Sequence, residues 1–172
     1  MNAIIENLLT RRSTRAFLQK EIPDNELNEI LQAAIYAPSG MGKQTWKFTV
    51  LCNQEKIQQL AELIGRKLGR KGYDMYRPQV LIIPSNQKEN PRGMEDNACA
   101  LENIFLAAHS FGIGSVWINQ LRTLCDDPEV RALLDEFEIP SDHVVYGMAA
   151  LGYPADAPKK EIHKIGEIRI IK

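Results

Sequence analysis

The run Arg11-Arg12-Ser13-Thr14-Arg15 places three guanidiniums and two hydroxyls within five consecutive residues, behind Thr10 and ahead of Ala16-Phe17. Guanidinium forks match the oxygen geometry of a phosphate, and serine or threonine hydroxyls can fill the remaining lone pairs. The same run also reads as a solvated basic turn. Gly40-Met41-Gly42-Lys43-Gln44-Thr45 looks at first like a P-loop. It fails as one, because Ala37 stands where the first glycine is required, glutamine follows the lysine, and the segment follows a helix instead of a strand. Gly112-Ile113-Gly114 is a G-x-G, but its fingerprint continues to Trp117 and it too follows a helix. These glycines read as a helix stop and a turn, not as a dinucleotide site.

His109, His143 and His163 never fall at metal-ligand spacing. His109, inside a helical run, reads as a partly buried, hydrogen-bonded residue. Ser141-Asp142-His143 reads as a turn, since adjacent residues cannot line up as nucleophile, base and orienter. No protein nucleophile and no metal is nominated. An anion site without an obvious acid, base or nucleophile suits an enzyme whose cofactor performs the chemistry.

The elements that must hold these groups come from a chain of 172 residues, which implies a single domain over residues 1–172. Lysine and arginine number 21 against 22 acidic residues, a balance that argues against a nucleic-acid partner. Cys52, Cys99 and Cys125 are scattered, as free thiols in a reducing compartment would be. The start lacks a basic region followed by an apolar one, and no apolar run approaches the roughly 20 residues that span a bilayer. The expectation is a soluble cytoplasmic protein with no membrane partner.

Ile4, Ile5, Leu8 and Leu9 predict a first short helix, and Leu27, Ile30, Leu31, Ala34 and Ile35 a second, opened by Pro23-Asp24 and stopped by Pro38. Trp46 to Cys52 reads as a strand, Gln54 to Leu68 as a helix, and Val80 to Ile83 as a short buried strand. Between the last two, Gly65, Gly69 and Gly72 alternate with Arg66, Lys67, Arg70 and Lys71, a basic connection that is either solvated surface or a 2′-phosphate site. The helix from about Glu95 to Ser110 is the richest in apolar residues and should be central. Ile113 to Ile118 is a strand, Asp126-Asp127-Pro128 opens a helix, and Val144 to Leu151 is a last strand, after which the tail from Pro154 does not read as core. Helices and strands mix without strict alternation, which favours an α+β fold.

Arg11-Arg12-Ser13-x-Arg15, Ala37-Pro38-Ser39, Gln44-x-Trp46, the stretch Asn103 to Ala108 leading to Gly112-Ile113-Gly114-Ser115-Val116-Trp117, and Leu151-Gly152-Tyr153-Pro154 occur in this order over most of the chain. Together they resemble the nitroreductase family of FMN-dependent oxidoreductases. The resemblance implies an α+β fold with a central, mostly antiparallel sheet flanked by helices, and a homodimer with two FMN molecules at its interface. It implies a reductase that takes hydride from NAD(P)H and passes it by a ping-pong route to a nitroaromatic, quinone or similar electron-poor small molecule. The alternatives are a flavin-binding or sensing module with little turnover, or another flavin chemistry such as reductive dehalogenation. By the same resemblance Arg11 and Ser13 would hold the phosphate and ribityl end and Arg15 the O2/N1 edge of the ring, with Arg12 and Gln44 also among the cofactor-binding residues. Pro38, Ser39 and Gly40 would reach the flavin of the other subunit, Trp117, Ile118 and Asn119 would lie along the ring, and Lys164 with His163 would close on the phosphate. Gly42, Thr45 and His163 depart from the family pattern, and Tyr73, Met75 and Tyr76 are expected to form a lid in a short member.

Overall fold

The computed structural model describes residues 2–156 and 164–172. Its helices are α1 (Ala3–Thr10), α2 (Asp24–Ile35), α3 (Gln54–Lys67), α4 (Gly93–Ser110) and α5 (Pro128–Glu136), and its strands β1 (Trp46–Leu51), β2 (Val80–Gln87), β3 (Gly114–Ile118), β4 (His143–Val144) and β5 (Met148–Gly152). The strands form one sheet in the order β1-β2-β5-β3, with β4 also on β2. Every strand pairing is antiparallel, as expected for this α+β class.

Period-two patterning explains why the sheet is covered on both sides. Leu81 and Ile83 of β2 face a core formed with Ile57, Leu60 and Ile64 of α3 and Val130, Leu133 and Leu134 of α5. Val80 and Ile82 of the same strand face a second core with Ile30 and Ala34 of α2 and Leu101, Ile104 and Ala108 of α4. The central placement of α4 follows, because it packs on α2 as well as on the sheet. Asn53 and Asp127 cap α3 and α5, their side chains accepting from Lys56 N and from Glu129 N and Val130 N.

Two strand expectations change. The second strand continues past Ile83 through Pro84 to Gln87. Pro84 is tolerated because it falls between the β5 pairing at Val80–Ile82 and the β4 pairing at Asn86-Gln87. The last strand is broken in two, and Gly147 lies in the gap where a Cβ would stand 2.4 Å from Trp117 Nε1. The indole packs directly on this glycine, in the space a side chain would take. No described helix is long and apolar enough to cross a membrane.

Candidate functional site

Arg11, Arg12, Ser13, Thr14 and Arg15 line a cleft of about 450 Å³, together with His109, Gly112, Gly114 and Ser115. Paired glycines on adjacent strands make the seat for this segment. Gly114 is opposite Gly152 in the β3–β5 ladder. A Cβ on Gly114 would lie 2.4 Å from Thr14 Oγ1, and one on Gly152 would lie 2.9 Å from Phe17 Cδ1. The chain is therefore able to lie against the sheet, with Ser13 bridged to Ser115 and Phe17 to Pro154. Thr14 N donates to Ser115 O at 2.9 Å, and Leu18 N to Tyr153 O at 2.8 Å. Gly112, at φ +72°, ends α4 as the sequence implied, its N–H donating to His109 O and that of Ile113 to Ala108 O.

The three guanidiniums enter none of the ion pairs formed among the described residues. Arg12 Nη1 turns back to Leu9 O at 2.8 Å and Arg11 O at 2.9 Å, satisfying carbonyls at the end of α1. Arg11 is half-buried with its guanidinium 5.9 Å from the Phe105 ring centroid. Phe105 in turn meets Trp117 at 6.2 Å, so one aromatic ring joins the anion cluster to the indole on β3. Trp117 is 40% exposed, whereas the side chain of Ile118 is only 2% exposed and belongs to the α3–α5 core. Ile118 can offer a ligand its backbone only. Asn119 is exposed, and its N–H donates to Gln120 Oε1 at 3.0 Å.

Pro38, Ser39, Gly40 and Gln44 stand apart from this cleft, at the opposite end of α4. A buried carboxylate that sequence reasoning missed, Asp96, fixes them: it accepts from Gly40 N at 2.8 Å, Asn90 Nδ2 at 3.1 Å and Ser39 Oγ at 3.4 Å. Ser39 Oγ accepts from Gln44 N at 2.9 Å, and Gln44 adopts φ 50°. Asn86 continues the network, accepting from Thr45 Oγ1 at 2.6 Å and donating to Asn97 Oδ1 at 3.3 Å. Asp96 and Asn97 interrupt the inward stripe of α4, and a polar residue at such a position was the available signal. At about 1.5 Å per residue, Asp96 and His109 are roughly 20 Å apart along the helix. One protomer therefore does not bring the loop and the arginine cluster together.

Lys164 is exposed and is not among the residues lining the cleft, and His163 lies outside the described residues. Met75 is fully buried in the core, so it cannot belong to a lid. Tyr73 is tied down as well, donating to Gln120 Oε1 at 2.9 Å, and burial pushes its phenol up to about 12. Met75, Tyr76 and Arg77 form a left-handed turn (φ 50°, 68° and 49°) held by Asp74, whose carboxylate accepts from Tyr76 N. Of the basic connection, Arg66 is paired with Glu129 and Lys67 with Asp127 and Glu129, as a surface would be. No three His, Cys, Asp or Glu side chains gather as a metal site among the described residues.

The model of the Nitroreductase family matches residues 8–79 and 67–153. A nitroreductase with bound FMN from Bacteroides fragilis is 43% identical, with a TM-score of 0.94 and full coverage of both chains. A protein of Archaeoglobus fulgidus, provisionally named NADH dehydrogenase/NAD(P)H nitroreductase, is 32% identical over 91% of this chain and 88% of its own. The FMN reductase (NADPH) of Bacillus subtilis is 27% identical over 94% of this chain and 70% of its own. With most of its length, from before the arginine cluster to past the last strand, matched in this way, the chain belongs to the nitroreductase family.

Proposed function

We propose that this protein is an FMN-dependent oxidoreductase that passes hydride from NAD(P)H to a nitroaromatic, quinone or similar electron-poor small molecule. The observation that carries the reading is the convergence of three guanidiniums, none in an ion pair among the described residues, with Ser13 and Thr14 on one cleft. That donor set fits a phosphate monoester, and about 450 Å³ is within the usual range for a small-ligand pocket. When bound, FMN supplies the redox chemistry, accepting hydride from the nicotinamide and giving it to the acceptor in turn, which in one shared slot gives ping-pong kinetics.

The chain's own residues bind and orient. Arg11 and Ser13 hold the phosphate, with Arg12 bracing the end of α1 beside them. Arg15, on the same cleft wall, would approach the O2/N1 edge of the ring, where a fixed guanidinium stabilises negative charge. Trp117, the backbone of Ile118 and Asn119 would flank the ring, and Lys164, exposed and outside the cleft in the lone chain, would have to reach the phosphate from the tail. Pro38, Ser39, Gly40 and Gln44 complete the site of a second protomer, giving a homodimer with two FMN molecules. The separation of that loop from the cleft along α4 supports this. So do exposed apolar groups that a lone chain leaves in water: Ile4, Ile5, Leu8 and Leu9 of α1, Tyr36 and Met41 at 82% beside the loop, and Ile165, Ile168, Ile170 and Ile171 of the tail. The whole chain, residues 1–172, acts as one such domain in the cytoplasm.

The test is the visible spectrum of the purified protein before and after anaerobic NADH and NADPH. A flavin spectrum bleached by either nucleotide is expected. A flavin that stays oxidised would make the protein a binding module, and no flavin after incubation with FMN would overturn the reading. Sedimentation should give a dimer, and a monomer that retains FMN would refute the shared site.

A further inference from the structure

We propose that His109 is a further anion-binding residue of the arginine cleft, engaging the phosphate monoester of the cofactor as an imidazolium. The proposal rests on the FMN reading above and adds a residue and a proton to it. His109 stands on the last turn of α4 and lines the same cleft as Arg11, Arg12 and Ser13.

Its tautomer follows from the hydrogen bonds around it. Thr10 Oγ1 donates to Glu6 O at 2.7 Å, and a hydroxyl has only one proton to give. With the hydroxyl proton directed to Glu6 O, His109 Nε2, 2.9 Å from the same oxygen, is assigned as the donor of that pair. Nε2 keeps its proton whatever the charge of the ring, so Nδ1 is the nitrogen that gains or loses one. No hydrogen bond to Nδ1 is formed among the described residues.

The surrounding charges make that gain depend on the ligand. Arg11 and Arg12 face the ring from the end of α1, and Arg15 lies on the same cleft wall. Glu6 of α1 offers its backbone carbonyl through Thr10, and Asp156, which has an interaction of its own, lies on the cleft beyond β5. On α4 itself the helix terminus favours a cation. Burial first, then Arg11 and Arg12, hold the imidazole below its ordinary value, so the ring is neutral near pH 7 before an anion arrives. A bound phosphate dianion offsets the guanidiniums and reverses the local preference. Binding then takes up a proton, and FMN is held more tightly as the pH falls.

Calorimetric titration of FMN into the flavin-free full chain, in buffers of differing ionisation enthalpy, reads the protons taken up. The comparison is His109→Gln, whose amide can still donate to Thr10. The phosphate's own second ionisation, near pH 6, contributes similarly to both proteins. Wild type should take up more protons per FMN than the variant. Its Kd should also weaken relative to the variant's with rising pH, by up to about tenfold for each unit by which the anion raises the imidazole pKa. Riboflavin, which lacks the phosphate, should show no such difference. In wild type alone, NMR titration of the His109 ring should give a higher pKa with FMN than with riboflavin, a readout that needs no variant. Equal proton counts in wild type and variant, or an imidazole pKa unmoved by FMN, would overturn the proposal while leaving the FMN reading standing. Absence of FMN binding would overturn both.

Discussion

Gly114→Ala separates the seat of the anion cluster from its charges. The new methyl would stand 2.4 Å from Thr14 Oγ1, 2.7 Å from its Cβ and 2.8 Å from its Cγ2. Ordinary van der Waals contact begins near 3.4 Å, so Thr14 must retreat by about 1 Å. Such a retreat stretches the 2.9 Å bond from Thr14 N to Ser115 O beyond hydrogen-bonding range. Losing that bond costs about 0.5–1.5 kcal/mol, and overpacking a tight contact typically costs about 1–3 kcal/mol. The expected destabilisation is therefore about 2–4 kcal/mol. For a chain of 172 residues it should lower Tm by about 5–15 °C. Ser13 and Arg15 flank the displaced residue, so FMN affinity should fall at least about tenfold, equivalent to about 1.4 kcal/mol. Thermal unfolding of the flavin-free protein gives the first number and fluorescence titration with FMN the second, well below Tm. Wild-type values in both would refute the claim that this glycine exists to seat the arginine-bearing segment. A loss of stability with unchanged FMN affinity would refute only the link from the seat to the cofactor.

Arg11→Ala should weaken FMN binding by about 1.5–3 kcal/mol, or about 10–150-fold, through loss of a charge-assisted phosphate contact, and should leave riboflavin affinity unchanged in the same titration. Asp96→Ala removes the acceptor of Gly40 N, while Asn90 Nδ2 keeps Thr45 Oγ1 and Asn86 Oδ1. At about 1–3 kcal/mol for the one orphaned donor, partly offset by no longer burying a charge, a net loss of about 1–2 kcal/mol should appear in denaturant unfolding. His143 is buried and bonded to Ser85 Oγ at 2.9 Å, and burial holds its imidazole below the ordinary value. The unfolded chain then binds more protons at mildly acidic pH. The stability this histidine contributes is present above about pH 6.5 and is lost as pH falls toward its folded value. Unfolding curves between pH 5 and 8 should show that loss in wild type and less of it in His143→Gln.

Long elements were legible because their periodicity is local. α2, α3, α4 and α5 follow apolar stripes with recognisable starts, and β1 and β3 follow short runs bounded by polar or glycine residues. The failures share a cause, which is that the deciding partner is distant in sequence. The apolar run ends at Ile83, so Ser85 and Asn86 fall outside the strand it predicts. They remain in β2 because His143, Asn97 and Thr45 satisfy them in the interior. The last strand looked continuous through Val145-Tyr146-Gly147, and it breaks in the stretch where Gly147 lies against the indole of Trp117. Tyr73, Met75 and Tyr76 looked like a lid, but the first is bonded to Gln120 and the second fills the core.

The candidate site divides along the same line. Its charged half is a contiguous run whose chemistry can be read from residue types, and the structure gathers that run into one cleft. Its other half, Pro38 to Gln44, carries no charge pattern, and Asp96, which fixes it, sits 56 residues beyond Gly40 on a helix that otherwise reads as core. Periodicity adds a further ambiguity. The stripe Ile4, Ile5, Leu8 and Leu9 states that a face of α1 is to be covered, and it cannot state by which chain. In the structure none of the four is buried, while Asn7 and Thr10 on the same helix bond to Leu106 O and His109 Nε2 of α4. The helix is thus held in place by polar contacts and keeps its apolar side for something else. A second copy would be the partner that also brings the loop of Pro38 to Gln44 to a cleft about 20 Å away along α4, so the uncovered helix and the divided site would have one explanation in the proposed dimer.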